Sequence, residues 1–164
     1  MTTSAQLQLL KGLTSRDDFR ARVESLLEHV TLQCAPLPYR PHLLFGVRTA
    51  TEQFKLFAKG RRLRGTNGDR YEAWEVTGHG RLATKALPRD SPHCWGAAVD
   101  IPLIDRATGH WMPDDDLSWS QFALTVTNAG LVSGHNWTGF RDSAHVELPN
   151  WKLLRDQGLL HFHA

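Results

Sequence analysis

The chain has 164 residues, of which 41% are hydrophobic and 22% are charged, and its formal net charge is +2. This composition is typical of one globular domain, and it excludes a disordered chain or a fibre. No apolar run approaches the roughly 20 residues that a membrane span needs, and the N-terminus lacks the pattern of a secretory signal peptide, so we expect neither stable membrane insertion nor export by the chain alone.

The first half of the chain alternates between helical and extended patterns. Apolar residues at helical spacing predict a first helix, which a proline-rich stretch ends. A short apolar run is then typical of a buried strand, and a glycine ends the second helix. In chain order, the predicted elements are a helix over 14–33, an extended connection through Pro36, Pro38 and Pro41, a strand over 42–47, a helix from Thr49 or Thr51 to Gly60, and a long loop with a short hairpin over 61–90.

The second half continues with short strands and helices. In chain order, the predicted elements are a strand over 95–104, a turn over 105–109, a helix over 118–130, strands at 131–132 and 144–148 on either side of the loop 133–142, and a helix over 150–160. This order predicts an α+β fold, a single small domain with a mostly antiparallel sheet flanked by helices.

A basic cluster spans the end of the second predicted helix and the residues that follow it. Its members are Lys55, Lys59, Arg61, Arg62 and Arg64. Such a cluster favours a polyanionic partner, or it is a solvated helix end with cations near the negative end of the dipole. Because no zinc finger, RNP box or Walker loop accompanies it, we expect no nucleic-acid partner.

Two separate segments carry residues suited to metal chemistry. His93 and Asp100 lie seven residues apart, and His145 follows Asp142 by three residues. Two histidines and one carboxylate are a common catalytic zinc set, with a fourth position open for water. From spacing alone, a hydrogen-bonded polar cluster without metal is the alternative. The two cysteines of the chain exclude a four-cysteine zinc site.

The same residues form motifs of a known family. The pattern S-x-H-x-x-G-x-A-x-D is matched at every fixed position, by Ser91, His93, Gly96, Ala98 and Asp100. Asp142 and His145 match D-x-x-H, and residues 46–61 are similar to the block G-x-R-(S/T)…E-Q…L-(Y/F)-A-x-G-R. Over about residues 44–151, the chain therefore resembles the M15 zinc peptidases of the VanY and endolysin type.

The resemblance implies a fold and a metal site. The fold would be of the hedgehog/DD-peptidase type, in one peptidase domain over 1–164, with an N-terminal helical segment at 1–35 and the motifs at 44–151. By the resemblance, His93, Asp100 and His145 are the ligands of Zn²⁺. Asp142 is the general base, which takes a proton from the metal-activated water and passes it to the departing amine.

Further residues receive roles from the same resemblance. Arg48 would hold a substrate carboxylate or carbonyl group and help to stabilise the oxyanion, unless it is an ordinary salt-bridge partner of Glu52. Ser91 would orient the loop or the substrate, and Trp137 would line the cleft. His135 stands where a glycine is more usual in the family, so it is a surface histidine or a substrate contact.

The expected function is that of a phage endolysin, an antimicrobial zinc peptidase that cuts peptidoglycan stem peptides at the L-alanyl-D-glutamate bond. Such a monomer would accumulate in the host cytoplasm and reach the wall once the membrane is opened. One alternative within the family is a D-alanyl-D-alanine carboxypeptidase or dipeptidase. The other is a zinc-stabilised wall-binding module without turnover. An intact Asp142 argues against the module, since a structural zinc needs no base.

Overall fold

The computed structural model describes residues 8–66, 68–78 and 82–164. Short helices and strands alternate along the chain. The helices are α1 (Phe19–Gln33), α2 (Ala50–Phe57), α3 (Leu117–Asn128) and α4 (Trp151–Asp156). The strands are β1 (Tyr39–Pro41), β2 (Arg61–Leu63), β3 (Trp74–Val76), β4 (Ala98–Asp100), β5 (Leu103–Asp105), β6 (Val132–Ser133) and β7 (His145–Glu147).

The described strand pairs are antiparallel. Strand β7 lies between β4 and β6, while β1 pairs with β5 and β2 with β3. Apolar residues of α1 and α3 and the inward side chains of β4 and β7 form one buried cluster. The predicted α+β class with antiparallel sheets is confirmed, since short helices surround short antiparallel pairs.

Two helix boundaries follow from local backbone chemistry. Helix α1 begins at Phe19 rather than at residue 14, because Asp17 and Asp18 adopt positive φ angles of 48° and 54° and interrupt the helical path. At α2, the Thr49 side chain accepts from the backbone N–H of Glu52, and the Glu52 side chain accepts from the backbone N–H of Thr49. This capping box explains why α2 starts where the sequence predicted it.

Two strand predictions were wrong in detail. Residues 42–47 contribute a single bridge, Phe45 to Asp100, and the strand lies just before them at β1. The predicted strand 95–104 is divided into β4 and β5 by Pro102, which has no backbone N–H to donate. The neighbouring Ile101 N–H still donates to the carbonyl of Ala144, 2.8 Å away, which is the residue opposite it in the β4–β7 register.

The predicted hairpin in the long loop is β2–β3, and it accounts for much of the basic cluster. Arg62 and Arg64 both pair with Glu75 on the facing strand, at 2.9 and 2.7 Å. Hydrogen bonds from Arg64 and Arg62 lower the pKa of Glu75 to about 2. The Arg61 guanidinium lies 4.0 Å from the centre of the Phe57 ring. These three cations therefore have local partners.

None of the described helices combines the length and the apolar character that crossing a membrane requires.

Candidate metal centre

The sheet register brings two of the predicted ligands together. Asp100, the last residue of β4, is the direct cross-strand partner of His145, the first residue of β7. His93 comes from the 3₁₀ helix Pro92–Trp95, which precedes β4. Its Nε2 atom lies 3.3 Å from Asp100 Oδ1 and 3.3 Å from His145 Nδ1, and the His145 Nδ1 atom lies 3.4 Å from the same Oδ1.

The distances between these three atoms fit a metal ion with tetrahedral coordination. Zinc bonds of about 2.0–2.1 Å to nitrogen and oxygen in tetrahedral geometry require ligand atoms about 3.3–3.4 Å apart. The three distances between donor atoms match this requirement before any ion is placed. Both imidazoles are buried, and the donor set is two nitrogens and one carboxylate oxygen, which is typical of catalytic zinc.

Each of the three side chains also forms a hydrogen bond through an atom that does not belong to the donor triangle. The Nδ1 atom of His93 is hydrogen bonded to the carbonyl of Gly46 at 2.8 Å, and His145 Nε2 to Glu147 Oε2 at 3.1 Å. Since a carbonyl and a carboxylate only accept, these bonds place the ring protons there and leave the inward nitrogens free for a metal. Arg48 Nη2 donates to Asp100 Oδ2 at 3.3 Å, so Oδ1 remains available.

Two glycines allow the backbone to bring these segments close. Gly96 ends the 3₁₀ helix of His93 with a φ of 64°, and a Cβ there would lie 2.7 Å from the carbonyl oxygen of Gly12. At Gly134, a Cβ would collide with the carbonyl oxygen of Asp142. Both positions therefore require the smallest residue, one beside a predicted ligand and the other beside the predicted base.

Asp142 lies at the start of the turn that leads into β7. Its backbone carbonyl accepts from His145 N–H at 3.1 Å, and its N–H donates to the carbonyl of Gly134 at 3.1 Å. Among the described residues, none donates a hydrogen bond to its carboxylate. Burial raises the pKa of Asp142, while the neighbouring histidines oppose the rise. The backbone of Asp142 is thus held beside the cluster, and its carboxylate is available to accept a proton, as the predicted base requires.

The three predicted ligands interact electrostatically with one another. Burial alone would disfavour the charged form of Asp100, but the charges and hydrogen bonds of His93 and His145 outweigh it and hold the pKa of this carboxyl well below its usual range. For His145, burial also disfavours charge, and the hydrogen bonds with Asp100 and Glu147 overcome it, raising its pKa to about 9. In the metal-free protein, a proton therefore occupies the position that a metal needs.

We predict opposite pH dependences for metal binding and for the stability of the metal-free protein. Because zinc bound at this site would displace the proton of His145, its apparent affinity should rise about tenfold per pH unit between pH 6 and 8. The folded-state pKa lies above the ordinary value of 6.5, so the stabilising effect of His145 is full below pH 6.5 and is lost as the pH rises through about 9. Competition with a chelator and thermal unfolding of chelator-treated protein measure the two. A flat affinity profile would contradict the ligand role of His145.

The cluster forms part of the wall of a cleft of about 1240 Å³. All the other residues that the sequence assigned to substrate binding or catalysis line it, namely Arg48, Ser91, Trp137 and Asp142. The Trp137 ring lies 4.9 Å from the ring of His145. Ser91 is buried, and its carbonyl accepts from Cys94 N–H at 3.0 Å, which anchors the first turn of the 3₁₀ helix that carries His93.

Arg48 and His135 both have structural partners. Arg48 pairs with Asp100 rather than with Glu52, which is engaged in the capping box. His135 Nδ1 lies 3.0 Å from Ser143 Oγ and its Nε2 lies 3.4 Å from Ser120 Oγ. His135 is not among the residues that line the cleft, so it joins α3 to the loop before β7.

Sequence reasoning assigned no role to several cleft residues. Phe45 and Trp111 expose about half of their surface there, at 49% and 52%, and Lys85 lies 4.8 Å from the centre of the Phe140 ring. All of these residues lie outside the quoted motifs. Gln53 does belong to the upstream motif block, but the sequence does not reveal that its side chain is fully buried.

Comparison with known proteins agrees with this geometry. A family model named Peptidase_M15_4, described as D-alanyl-D-alanine carboxypeptidase, matches residues 85–148. This segment contains both predicted metal motifs. Over this segment, the chain matches the M15 peptidases. The sequence-based predictions of an M15 enzyme and of zinc as its cofactor are thereby confirmed. The comparison with curated proteins finds no match.

Two solved structures share the fold of this chain. The L-Ala D-Glu endopeptidase ChiX of Serratia marcescens is similar with a TM-score of 0.53 and 18% identity, covering 92% of this chain and 91% of that one. The vancomycin resistance D,D-pentapeptidase VanY, as an E175A mutant in complex with Zn(II), is similar with a TM-score of 0.50 and 16% identity, covering 90% of this chain and 84% of that one. At these identities, the similarity shows the fold.

Proposed function

We propose that this M15 peptidase hydrolyses the stem peptides of peptidoglycan at the L-alanyl-D-glutamate bond, with His93, Asp100 and His145 as zinc ligands. The observation that carries the proposal is the triangle of three donor atoms, 3.3–3.4 Å on each side. The triangle lies in the wall of a large cleft beside the Asp142 carboxylate, to which no described residue donates a hydrogen bond. Such a site suits hydrolysis better than a structural role, because a structural zinc would be enclosed by a fourth protein ligand.

The chain's own residues supply the proton transfers. Zinc held by the three ligands provides a Lewis acid that polarises a carbonyl group and lowers the pKa of water. Asp142 accepts the proton of the attacking water and then donates it to the departing amine, acting first as base and then as acid. Arg48 is mostly buried, but it lines the cleft. Its guanidinium therefore holds Asp100 and also places positive charge where the carbonyl oxygen becomes negative.

The cleft has the chemistry to bind an anionic peptide. Aromatic side chains line its walls, and Lys59, Lys85, Arg141 and Lys152 contribute cations. A stem peptide cut after L-alanine presents the free carboxylate of D-glutamate next to the scissile bond, which these cations complement. The fold likeness to ChiX supports the same bond, whereas the description of the matching family model favours removal of the terminal D-alanine.

Mass spectrometry of digested stem peptide tests the bond directly. The zinc-loaded protein is incubated with purified monomeric stem pentapeptide, and a sample treated with chelator is the control. We expect release of L-alanine and of the complementary tetrapeptide, abolished by the chelator. Loss of a single terminal D-alanine would instead establish the carboxypeptidase alternative. An unchanged pentapeptide with a zinc-loaded protein would contradict hydrolysis of either bond.

The cellular setting that we propose is that of a monomeric endolysin, made in the host cytoplasm and acting on the wall after the membrane has been opened. The cationic residues of the cleft support attraction to an anionic wall. Expression inside a bacterium should then cause lysis only when a membrane-permeabilising agent is added. Lysis without that agent would contradict this setting and leave the assigned bond unaffected.

A further inference from the structure

One fully buried polar side chain joins the metal centre to another part of the cleft wall. Gln53 on α2 has no exposed surface. Its Oε1 accepts from Arg48 Nη1 at 2.8 Å. Its Nε2 donates to the carbonyl of Ala86 at 2.7 Å and lies 3.3 Å from Thr84 Oγ1. Both Thr84 and Ala86 line the cleft.

We propose that Gln53 is a positioning residue that sets two parts of the site at once, the Arg48–Asp100 pair and the cleft wall at residues 84–86. The inference rests on the proposed function, because it assigns Asp100 to zinc and the wall to substrate. Gln53 does not touch the ligand triangle. It acts through Arg48, which uses its second terminal nitrogen to hold Asp100 Oδ2 at 3.3 Å.

The chemistry of the position requires an amide. The Arg48 guanidinium offers only donors, so its partner must accept, and the Ala86 carbonyl only accepts, so its partner must donate. A glutamine supplies both functions from one planar group. A carboxylate keeps the acceptor and loses the donor, while an apolar side chain of similar length loses both and leaves buried polar groups without partners.

The two halves of the amide should therefore affect two different quantities. The acceptor side fixes the guanidinium that orients Asp100, so its loss should weaken zinc binding, as loss of other outer partners of metal ligands does. The donor side fixes the wall at residues 84–86, so its loss should weaken substrate binding and raise KM. A residue that only contributes to general stability would not separate these two effects.

The test compares two substitutions of Gln53 with an unrelated core variant. Gln53→Met should lower the zinc affinity of the metal-free protein by about tenfold and also raise KM. Gln53→Glu should restore zinc affinity to within about twofold of the parent while KM stays raised. Val126→Ala, in the core on α3 and fully buried, is the matched control for destabilisation and should leave zinc affinity unchanged.

A double-mutant cycle with Arg48→Met completes the test. If Gln53 acts through Arg48, adding Gln53→Met to Arg48→Met should cause no further loss of zinc affinity. Independent losses that multiply would overturn the inference, as would a loss of zinc affinity in Val126→Ala equal to that of Gln53→Met. If Gln53→Met does not fold, Gln53→Glu alone still tests the inference. A Gln53→Glu variant with the zinc affinity and the KM of the parent would overturn the inference. A parent that binds no zinc would instead contradict the proposed function.

Discussion

Replacing Asp142 with asparagine is expected to lower kcat by about 10²–10⁴-fold, the range that a general acid–base group contributes, while zinc content stays at the parental level. Asparagine keeps the shape of the side chain and cannot accept a proton. The Asp142 side chain lies outside the triangle of donor atoms, and its backbone hydrogen bonds to Gly134 and His145 do not need the carboxylate. Steady-state hydrolysis of stem peptide and elemental analysis measure the two quantities.

The matched control for this prediction is Asp156→Asn. Asp156 is an exposed aspartate at the end of α4 that pairs with Arg155, so the same chemical change there should leave kcat at the parental value. A parental kcat in Asp142→Asn would show that another group is the base. Glu147 lines the same cleft and would be the next residue to replace.

The sequence predicted which residues would form the candidate metal site, and the structure brings these residues together. The way they meet was not predictable. Local spacing places His93 just before β4 and Asp100 at its end, because Gly96 permits a tight turn between them. The pairing of Asp100 with His145 depends on the register of strands only three residues long. Strands of that length show no readable alternation, so sequence periodicity could not have fixed the register.

Electrostatic partners distant in sequence were also beyond sequence reasoning. In the sequence, Arg62 and Arg64 belong to a basic cluster in which no acidic partner is evident. In the structure, the β2–β3 hairpin brings Glu75 opposite them. In contrast, Thr49 and Glu52 lie three residues apart, and their capping box fixes the start of α2 from local sequence alone. Interactions within one helical turn were predictable from the sequence. Interactions between strands joined by a loop of unknown length were not.

Gln53 shows the same limit at the site. A glutamine near the start of an amphipathic helix usually faces solvent, as its neighbour Glu52 does. Gln53 is buried because residues 84–86 return over α2 from more than thirty positions later in the chain. Its contact with Arg48 then makes the upstream motif block part of the metal centre. This contact gives a physical reason why that block accompanies the histidine motifs.

Replacing His145 with alanine is expected to abolish the stabilisation that zinc gives to the folded protein. At a free zinc concentration 1,000 times the dissociation constant, binding stabilises the parent by about 4 kcal/mol, which for a chain of this size corresponds to a rise in Tm of about 8–16 °C. The alanine variant loses one of three donor atoms and leaves the carboxylates of Asp100 and Glu147 without their shared partner. It should therefore show no shift in Tm when zinc is added.

The test compares the shift in Tm that zinc causes, not the absolute Tm, because the metal-free His145→Ala variant should itself be less stable than the metal-free parent. Differential scanning calorimetry of each protein with and without zinc measures the shift. His135→Ala is the control, since His135 is held by Ser143 and Ser120 and belongs to no ligand pair. That variant should keep the parental shift. If His145→Ala also keeps it, zinc binds elsewhere, and the assignment of the triangle of donor atoms as the metal site is wrong.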